Sequence, residues 1–182
     1  LVAGVAACHA LEESWQVALM APTEILAEQH YLNFKRWFEP LGLNIAWLSG
    51  KQKGKARAAA EQVIRDGSAH LVIGTHALFQ ENVEFAKLGL VIIDEQHRFG
   101  VDQRLALRNK GLDGMSPHQL VMTATPIPRT LAMSAYGDLD TSVIDELPPG
   151  RTPIQTVTIP LDRREQVLQR IATNCAEGKQ AY

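Results

Sequence analysis

The chain has 182 residues, of which 46% are apolar and 21% are charged. These values are close to those of globular proteins and exclude a disordered, collagen-like or low-complexity chain. The length suits one full domain, or one domain and part of another. Eighteen basic residues against 20 acidic ones give a net charge of −2. That balance excludes a wholly basic nucleic-acid module, but a local basic face remains compatible with it.

The two cysteines, Cys8 and Cys175, lie far apart in the sequence. Their spacing indicates neither a metal site nor a disulfide framework, so a reduced, cytosolic compartment is expected. The longest apolar runs are well under the roughly 18 residues that a membrane-spanning helix needs. We therefore expect no contact with a membrane.

Short apolar runs alternate with helical patterns along the chain. Residues 1–10 are typical of the middle of a helix, so we expect the sequence to be a piece of a longer protein, truncated at its N-terminus. Six runs rich in Val, Ile and Leu do not alternate with polar residues, which is typical of strands buried on both faces. These runs are Gln16–Ala21, Leu43–Leu48, His70–Ile73, Leu88–Ile93, Gln119–Met122 and Ser142–Ile144. Helices are predicted over 23–38, 53–65 and 128–136. The alternation predicts an open, largely parallel α/β sheet.

Residues 148–153 form a Pro- and Gly-rich linker, which we interpret as a domain boundary. Residues 1–147 would form the first domain. A strand over Gln155–Ile159 and a helix over Asp162–Ala176 are predicted after the linker. About 30 residues are too few for a separate core, so 154–182 is interpreted as the first strand and helix of a second domain, or as an appendage on the first.

The strongest chemical pattern is the pair Asp94 and Glu95 at the end of a buried strand. Ligands bind at the carboxyl ends of strands in open α/β sheets. Asp94 could hold Mg²⁺ through water, and Glu95 could accept a proton from a water that attacks a γ-phosphate. The simpler interpretation is a strand that ends in a solvated loop, and Asp145 and Glu146 show the same pattern. The polar residues after Glu95, in contrast to the prolines after Glu146, favour the functional interpretation.

Three other predicted strand ends carry weaker signals. Thr123 and Thr125 end one strand, where their hydroxyls could hydrogen-bond Glu95 or His97. Residues 21–24 and 74–77 are loops that open helices, and free N–H groups at such points favour anions such as DNA phosphates. Ordinary helix caps explain all three loops equally simply. The basic cluster Lys51, Lys53, Lys55 and Arg57 could contact phosphate or could be a solvated helix start.

Taken in order, these motifs resemble the motor core of the helicase superfamily two, and within it the RecG-type branched-DNA helicases. The resemblance covers nearly the whole chain. It rests on APTEILAEQH at 21–30, GKQKGKAR at 50–57, DEQHRFGV at 94–101, TATPIPRT at 123–130 and DELPPGR at 145–151.

The resemblance implies a RecA-like P-loop NTPase domain with helices on both faces of the sheet, which uses ATP and Mg²⁺. Asp94 and Glu95 would be the Walker B pair, with Asp94 holding Mg²⁺ through water. His97 would connect the nucleotide site to Thr123 and Thr125. The catalytic residues implied are Asp94, Glu95 and His97, and those at the nucleotide are Asp94, Glu95, Thr123 and Thr125. The DNA-binding residues implied are Pro22, Thr23, Ser49, Gly50, Gly74, Thr75, His76 and Arg98.

One motif of this family does not occur in the 182 residues. None of the Gly-Lys pairs at 50, 54 and 178 is followed by Ser or Thr, so the phosphate-binding loop G-x-x-x-x-G-K-[ST] is missing from the sequence. By the resemblance, residue 1 follows that loop directly.

The expected function is therefore that of a motor-core fragment. Its parent helicase would couple ATP hydrolysis to translocation on double-stranded DNA and to remodelling of stalled replication forks in the bacterial cytoplasm. Its partners would be branched DNA and a single-strand DNA-binding protein. Two alternatives stay open. One is a non-catalytic nucleic-acid-binding or scaffold module, and the other is a small-molecule α/β enzyme that uses Asp94, Glu95 and His97 at a metal.

Overall fold

The computed structural model describes residues 1–95, 110–112, 114–125 and 140–181. The chain divides into two compact units, Leu1–Ala132 and Met133–Tyr182. The predicted helix over 128–136, together with His97 and Arg98, lies outside the described residues.

Helices and strands alternate along the first unit, as the sequence predicts. The described elements are α1 (Val2–Glu12), β1 (Gln16–Met20), α2 (Glu24–Phe38), β2 (Ile45–Leu48), α3 (Gly54–Arg65), β3 (Leu71–Gly74), β4 (Leu88–Asp94) and β5 (His118–Met122). Short 3-10 turns span Glu39–Leu41 and His76–Phe79. The first five predicted strands and the first two predicted helices are confirmed, with ends that differ by up to two residues.

The five strands form one sheet in the order β2-β3-β1-β4-β5. Each neighbouring pair is parallel, which confirms the predicted sheet. Every residue of β1 and β3 is buried, because helices cover both faces of a parallel sheet. All five strands end at the same edge, and the loops that follow them are therefore neighbours in space.

The core has two layers, one on each face of the sheet. Side chains of β1 alternate between them, since successive strand residues point to opposite faces. Val17 and Leu19 pack with residues of α1 and α2 such as Phe34. Ala18 and Met20 pack with Ile64 of α3. Helices thus cover both faces, and they fix the positions of the loops at the carboxyl edge.

The second unit contains one long helix among its described residues. A 3-10 turn, Leu161–Arg163, leads into α4 (Arg164–Ala176), which confirms the predicted helix. Residues 141–160 form neither helix nor strand and are exposed. The strands predicted over Ser142–Ile144 and Gln155–Ile159 are therefore wrong.

The physical reason is the lack of pairing. β-branched residues favour an extended backbone, but a strand also needs a neighbour for its hydrogen bonds and cover for its side chains. Ile144 is 84% exposed and Val157 is 75% exposed, so neither residue has such cover. The division into domains at 148–153 stays a prediction.

No helix in the described parts of the two units is long and apolar enough to cross a membrane.

Candidate functional site

Asp94 and Glu95 lie at the carboxyl end of β4, beside β5. Asp94 is the last residue of the strand and is in register with Met122. The N–H of Glu95 donates to the Met122 carbonyl oxygen at 2.9 Å, so the ladder continues one residue beyond the strand. Glu95 has a φ of 53°, a left-handed conformation that costs a residue other than glycine roughly 1–2 kcal/mol. The backbone therefore holds the Glu95 carboxylate at this edge in spite of a conformational cost.

Thr123 lies across from Glu95, directly after β5. Its hydroxyl lies 3.5 Å from Oε2 of Glu95 and 3.4 Å from the carbonyl oxygen of Thr125, so these two oxygens are alternative acceptors for its one hydrogen. Thr123 is therefore the residue of this loop whose hydroxyl lies near Glu95, and its role at the site stays a prediction. The N–H of Thr125 donates to Oγ1 of Thr123 at 3.1 Å, so this hydroxyl is also a local turn cap. Thr125 enters the arrangement through its backbone.

His30 on α2 contacts this group, although it is not among the residues predicted from the sequence motifs. Its Nε2 lies 2.7 Å from Oδ2 of Asp94. A signal for this contact exists in the sequence, because residues three and four apart share one face of a helix. Ala27 and Phe34, the residues three before and four after His30, are both buried. That spacing turns His30 towards the sheet.

A groove of about 430 Å³ lies where the ends of β1, β2 and β3 meet. It brings together predicted DNA-binding residues from separate parts of the chain. The lining residues are Pro22, Thr23, Glu24, Ile25, Lys51, Thr75 and His76. Thr23 is also the N-cap of α2, where its hydroxyl accepts from the Leu26 N–H at 3.3 Å. The simpler interpretation of this loop as a helix cap is therefore true as well.

Ser49, Gly50 and Gly74 lie at strand ends next to the groove, but they do not line it. A Cβ at residue 50 would lie 3.3 Å from the His76 ring, so Gly50 lets this ring approach the loop after β2. Ser49 is buried, and its N–H donates to Oε1 of Gln52 at 3.1 Å. In this structure Ser49, Gly50 and Gly74 are therefore neighbours of the groove and not part of its lining.

Thr75 has a buried hydroxyl at the base of the groove. Its Oγ1 has no hydrogen-bond partner within the described part of the chain, and the residue is 2% exposed. A buried hydroxyl without a partner costs roughly 1–3 kcal/mol. A ligand or a water molecule that donates to or accepts from this hydroxyl would remove the cost.

The basic cluster divides in two. Lys51 lines the groove and forms an ion pair with Glu24. The hydrogen bond and charge of Glu24 raise the pKa of Lys51 above its usual range. Arg57 instead donates to Glu61 at 2.7 Å and to Gln80 at 2.6 Å, so it joins α3 to the loop after β3. Of these two residues, Lys51 is the one that lies at the candidate phosphate surface, and Lys53 and Lys55 are exposed.

The residues at the ends of β4 and β5 have oxygen donors suited to a hard cation such as Mg²⁺. Among residues 1–95, 110–112, 114–125 and 140–181, no group of three or more His, Cys, Asp or Glu side chains could hold a metal. Asp94 alone would therefore leave most of the coordination shell to water and nucleotide, which is the usual arrangement for Mg²⁺.

Comparison with known proteins agrees with this geometry. The family model for DEAD/DEAH box helicases matches residues 1–134. The chain belongs to this helicase family.

Several individual proteins are similar to the chain over its whole length. The ATP-dependent DNA helicase RecG of Escherichia coli O157:H7 is 64% identical over 184 residues, and that of Haemophilus influenzae is 62% identical over the same length. The RecG of Aquifex aeolicus is 47% identical over 182 residues. Each match covers 100% of this chain, but the chain spans only 27%, 27% and 23% of these relatives.

Solved structures show the same relationship. A structure of RecG bound to a three-way DNA junction matches with a TM-score of 0.80 and 44% identity, over 98% of this chain and 24% of that one. The DUF1998 helicase MrfA bound to DNA and AMPPNP matches with a TM-score of 0.59 and 18% identity, over 74% of this chain and 19% of that one. The second match supports the fold alone. The predicted RecA-like fold is confirmed.

Proposed function

We propose that this chain is part of the motor of a RecG-type ATP-dependent DNA helicase. The intact protein would use ATP hydrolysis to translocate on double-stranded DNA and to remodel branched DNA such as stalled replication forks. The observation that carries the proposal is the division of the sheet edge. The candidate nucleotide residues in the described part of the chain follow β4 and β5, whereas the described candidate DNA residues lie at the ends of β1, β2 and β3.

Asp94 and Glu95 would act at the nucleotide. Mg²⁺ would supply charge neutralisation of the phosphates when it is bound, and Asp94 would hold it through water. Glu95 would accept the proton of the attacking water. The hydroxyl of Thr123 contacts the Glu95 carboxylate, so it would orient this base and report its state to the loop after β5. Thr125 would act with Thr123.

The groove would hold a DNA strand by its backbone. Lys51, which pairs with Glu24 in the free protein, would offer its positive charge at the rim, and Thr23 and His76 offer polar groups along the lining above the buried hydroxyl of Thr75. Contacts of this kind bind phosphates without reading sequence, which suits a protein that must move along DNA. Ser49, Gly50 and Gly74 would shape this surface.

Further parts of the proposal rest on the resemblance alone. His97 would join the nucleotide site to Thr123 and Thr125, and Arg98 would contact DNA. Residues 154–182 would begin a second motor domain after the linker at 148–153, and the protein would work in the bacterial cytoplasm with a single-strand DNA-binding protein as a partner. The relatives whose names include RecG support the family-level part of this proposal.

The test is Glu95→Gln in the intact protein. Removal of the base is expected to abolish DNA-stimulated ATP hydrolysis, with thermal unfolding and affinity for forked DNA unchanged. Glu146→Gln is the matched control, because Glu146 also follows an Asp but lies in an exposed segment. Normal turnover in Glu95→Gln would contradict the proposed role.

A further inference from the structure

We propose that His30 is a positioning residue of the nucleotide site, which holds the Asp94 carboxylate in place for Mg²⁺. This inference deepens the proposed function and rests on it, because the metal role of Asp94 belongs to that proposal. It adds a residue of α2 to a site that otherwise consists of strand ends.

The contact itself is short and sheltered. Nε2 of His30 and Oδ2 of Asp94 are 2.7 Å apart, and the two side chains are 23% and 20% exposed. This separation is typical of a hydrogen bond to an ionised group. A carboxylate oxygen accepts hydrogen bonds, so the pair forms one in the tautomer of His30 that carries its hydrogen on Nε2. The two residues are 64 positions apart, and the folding of α2 onto the sheet brings them together.

The packing of α2 fixes the position of His30. Ala27 and Phe34 are buried on the same face of the helix, and the rings of Phe34 and Phe38 stack with centroids 5.5 Å apart. His9 on α1 differs on each point, since its side chain is 78% exposed and its nearest carboxylate, Glu12, is 3.7 Å away. An anchored helix therefore presents His30 to Asp94.

A bond from His30 would favour metal binding without blocking it. A carboxylate has about four acceptor positions, so one hydrogen bond leaves the others for a water on the cation. Groups that hydrogen-bond a metal ligand fix its orientation, and their loss typically weakens metal affinity 10- to 100-fold. A purely structural pair would instead attach α2 to the sheet, and its loss would lower stability without a specific effect on the metal.

The experiment compares His30→Ala, His30→Gln and the control His9→Ala in the intact protein. The probe is Mn²⁺ in the presence of ADP, followed by electron paramagnetic resonance, together with thermal unfolding in the absence of metal. His30→Ala is expected to weaken Mn²⁺ binding about tenfold. His30→Gln is expected to recover most of this loss, because its amide nitrogen lies close to the position of Nε2 and donates in the same way. His9→Ala should not differ from the wild type.

Two outcomes would overturn the inference. The first is unchanged Mn²⁺ affinity in His30→Ala. The second is an equal loss of affinity in His30→Ala and His30→Gln that parallels an equal loss of thermal stability, which would make the pair an anchor for α2 alone. Asp94→Asn separates a failure of this inference from a failure of the proposed function. Intact Mn²⁺ binding in Asp94→Asn would contradict the proposed function as well. Loss of binding in Asp94→Asn, together with no effect of His30→Ala, would contradict only the role of His30.

Discussion

Gly74 at the end of β3 lies so close to β2 that a Cβ on it would overlap the carbonyl oxygen of Leu48. That carbonyl also accepts the N–H of Thr75 at 3.4 Å. The two strand ends therefore meet backbone to backbone beneath the groove, and only glycine allows this approach.

Gly74→Ala is expected to destabilise the protein, because the new methyl group would separate β2 and β3 at their ends. The expected loss is about 1–3 kcal/mol, the usual cost of overpacking a tight site. Thermal unfolding of the intact protein measures it. Gly4→Ala is the control, because its Cβ would lie 3.5 Å from Trp37 and alanine is about 1 kcal/mol better than glycine inside a helix. A Gly74→Ala protein as stable as the wild type would contradict the tight approach.

Thr75→Val is expected to change stability and DNA affinity in opposite directions. The substitution keeps the shape and removes a buried hydroxyl that has no partner in the described structure. The free energy of unfolding should rise by about 1 kcal/mol. Affinity for forked DNA should fall roughly tenfold if the hydroxyl donates to a phosphate, since hydrogen bonds to charged groups contribute about 1.5–3 kcal/mol.

The control for this substitution is Thr173→Val on α4. The Thr173 hydroxyl already donates to the Gln169 carbonyl oxygen at 3.0 Å, and the residue is exposed. Its replacement should leave DNA affinity unchanged. Equal DNA affinity in Thr75→Val and the wild type would remove this hydroxyl from the DNA surface.

Lys51→Gln is expected to reduce the salt dependence of DNA binding. Each phosphate contact contributes about 0.9 to the slope of log affinity against log salt concentration, so the slope should become shallower by about one. Glu24→Gln should strengthen DNA binding, because Glu24 pairs with Lys51 in the free protein. Lys35→Gln is the control, since Lys35 pairs with Glu39 at the other end of α2. An unchanged slope in Lys51→Gln would exclude its contact with phosphate.

The hydrogen bonds of Asp66 at the end of α3 predict that the stability of the protein depends on pH. The hydroxyl and the N–H of Ser68 donate to its carboxylate, and these bonds lower the pKa of Asp66 below its usual value of 3.8. A lowered carboxyl pKa stabilises the fold above the usual value, and this contribution disappears as the pH falls through the pKa of the folded state.

Asp66→Asn should therefore be less stable than the wild type at pH 7, with a difference that shrinks as the pH falls below 3.8. Urea denaturation at several pH values measures the difference. Ser68→Ala should reproduce most of the effect, and the double variant should lose little more than either single one. A difference that stays constant down to acid pH would exclude this carboxylate as the cause.

The sheet and the positions of both candidate groups could be predicted from the sequence because every strand contains an apolar run, and a polar residue follows β2, β3, β4 and β5 directly. The segment from Val91 to Asp94 is an example, because its apolar residues indicate a buried strand and its final aspartate indicates where that strand ends. The order of the strands then brings Glu95 next to Thr123, as the chemistry of the two motifs indicates.

Other features depend on pairing in space. Residues 155–159 have the composition of a strand but are exposed, because composition favours extension without supplying a partner. The contact of His30 with Asp94 depends on how α2 is rotated on the sheet. The spacing of Ala27 and Phe34 indicates which face of α2 packs on the sheet. It does not identify which strand end lies opposite His30. The hydroxyl of Thr75 is polar in the sequence, and only the fold shows that it is buried.

The left-handed backbone at Glu95 separates selection for stability from selection for activity. Glycine takes this conformation without steric cost, so Glu95→Gly is expected to relieve strain at the sheet edge while it removes the proposed base. A screen that rewards heat resistance alone would favour this inactive sequence, whereas a screen for the proposed ATP hydrolysis would reject it. A glutamate retained at residue 95 in thermostable variants would therefore show that the reaction requires this side chain, although its backbone conformation lowers the stability of the fold.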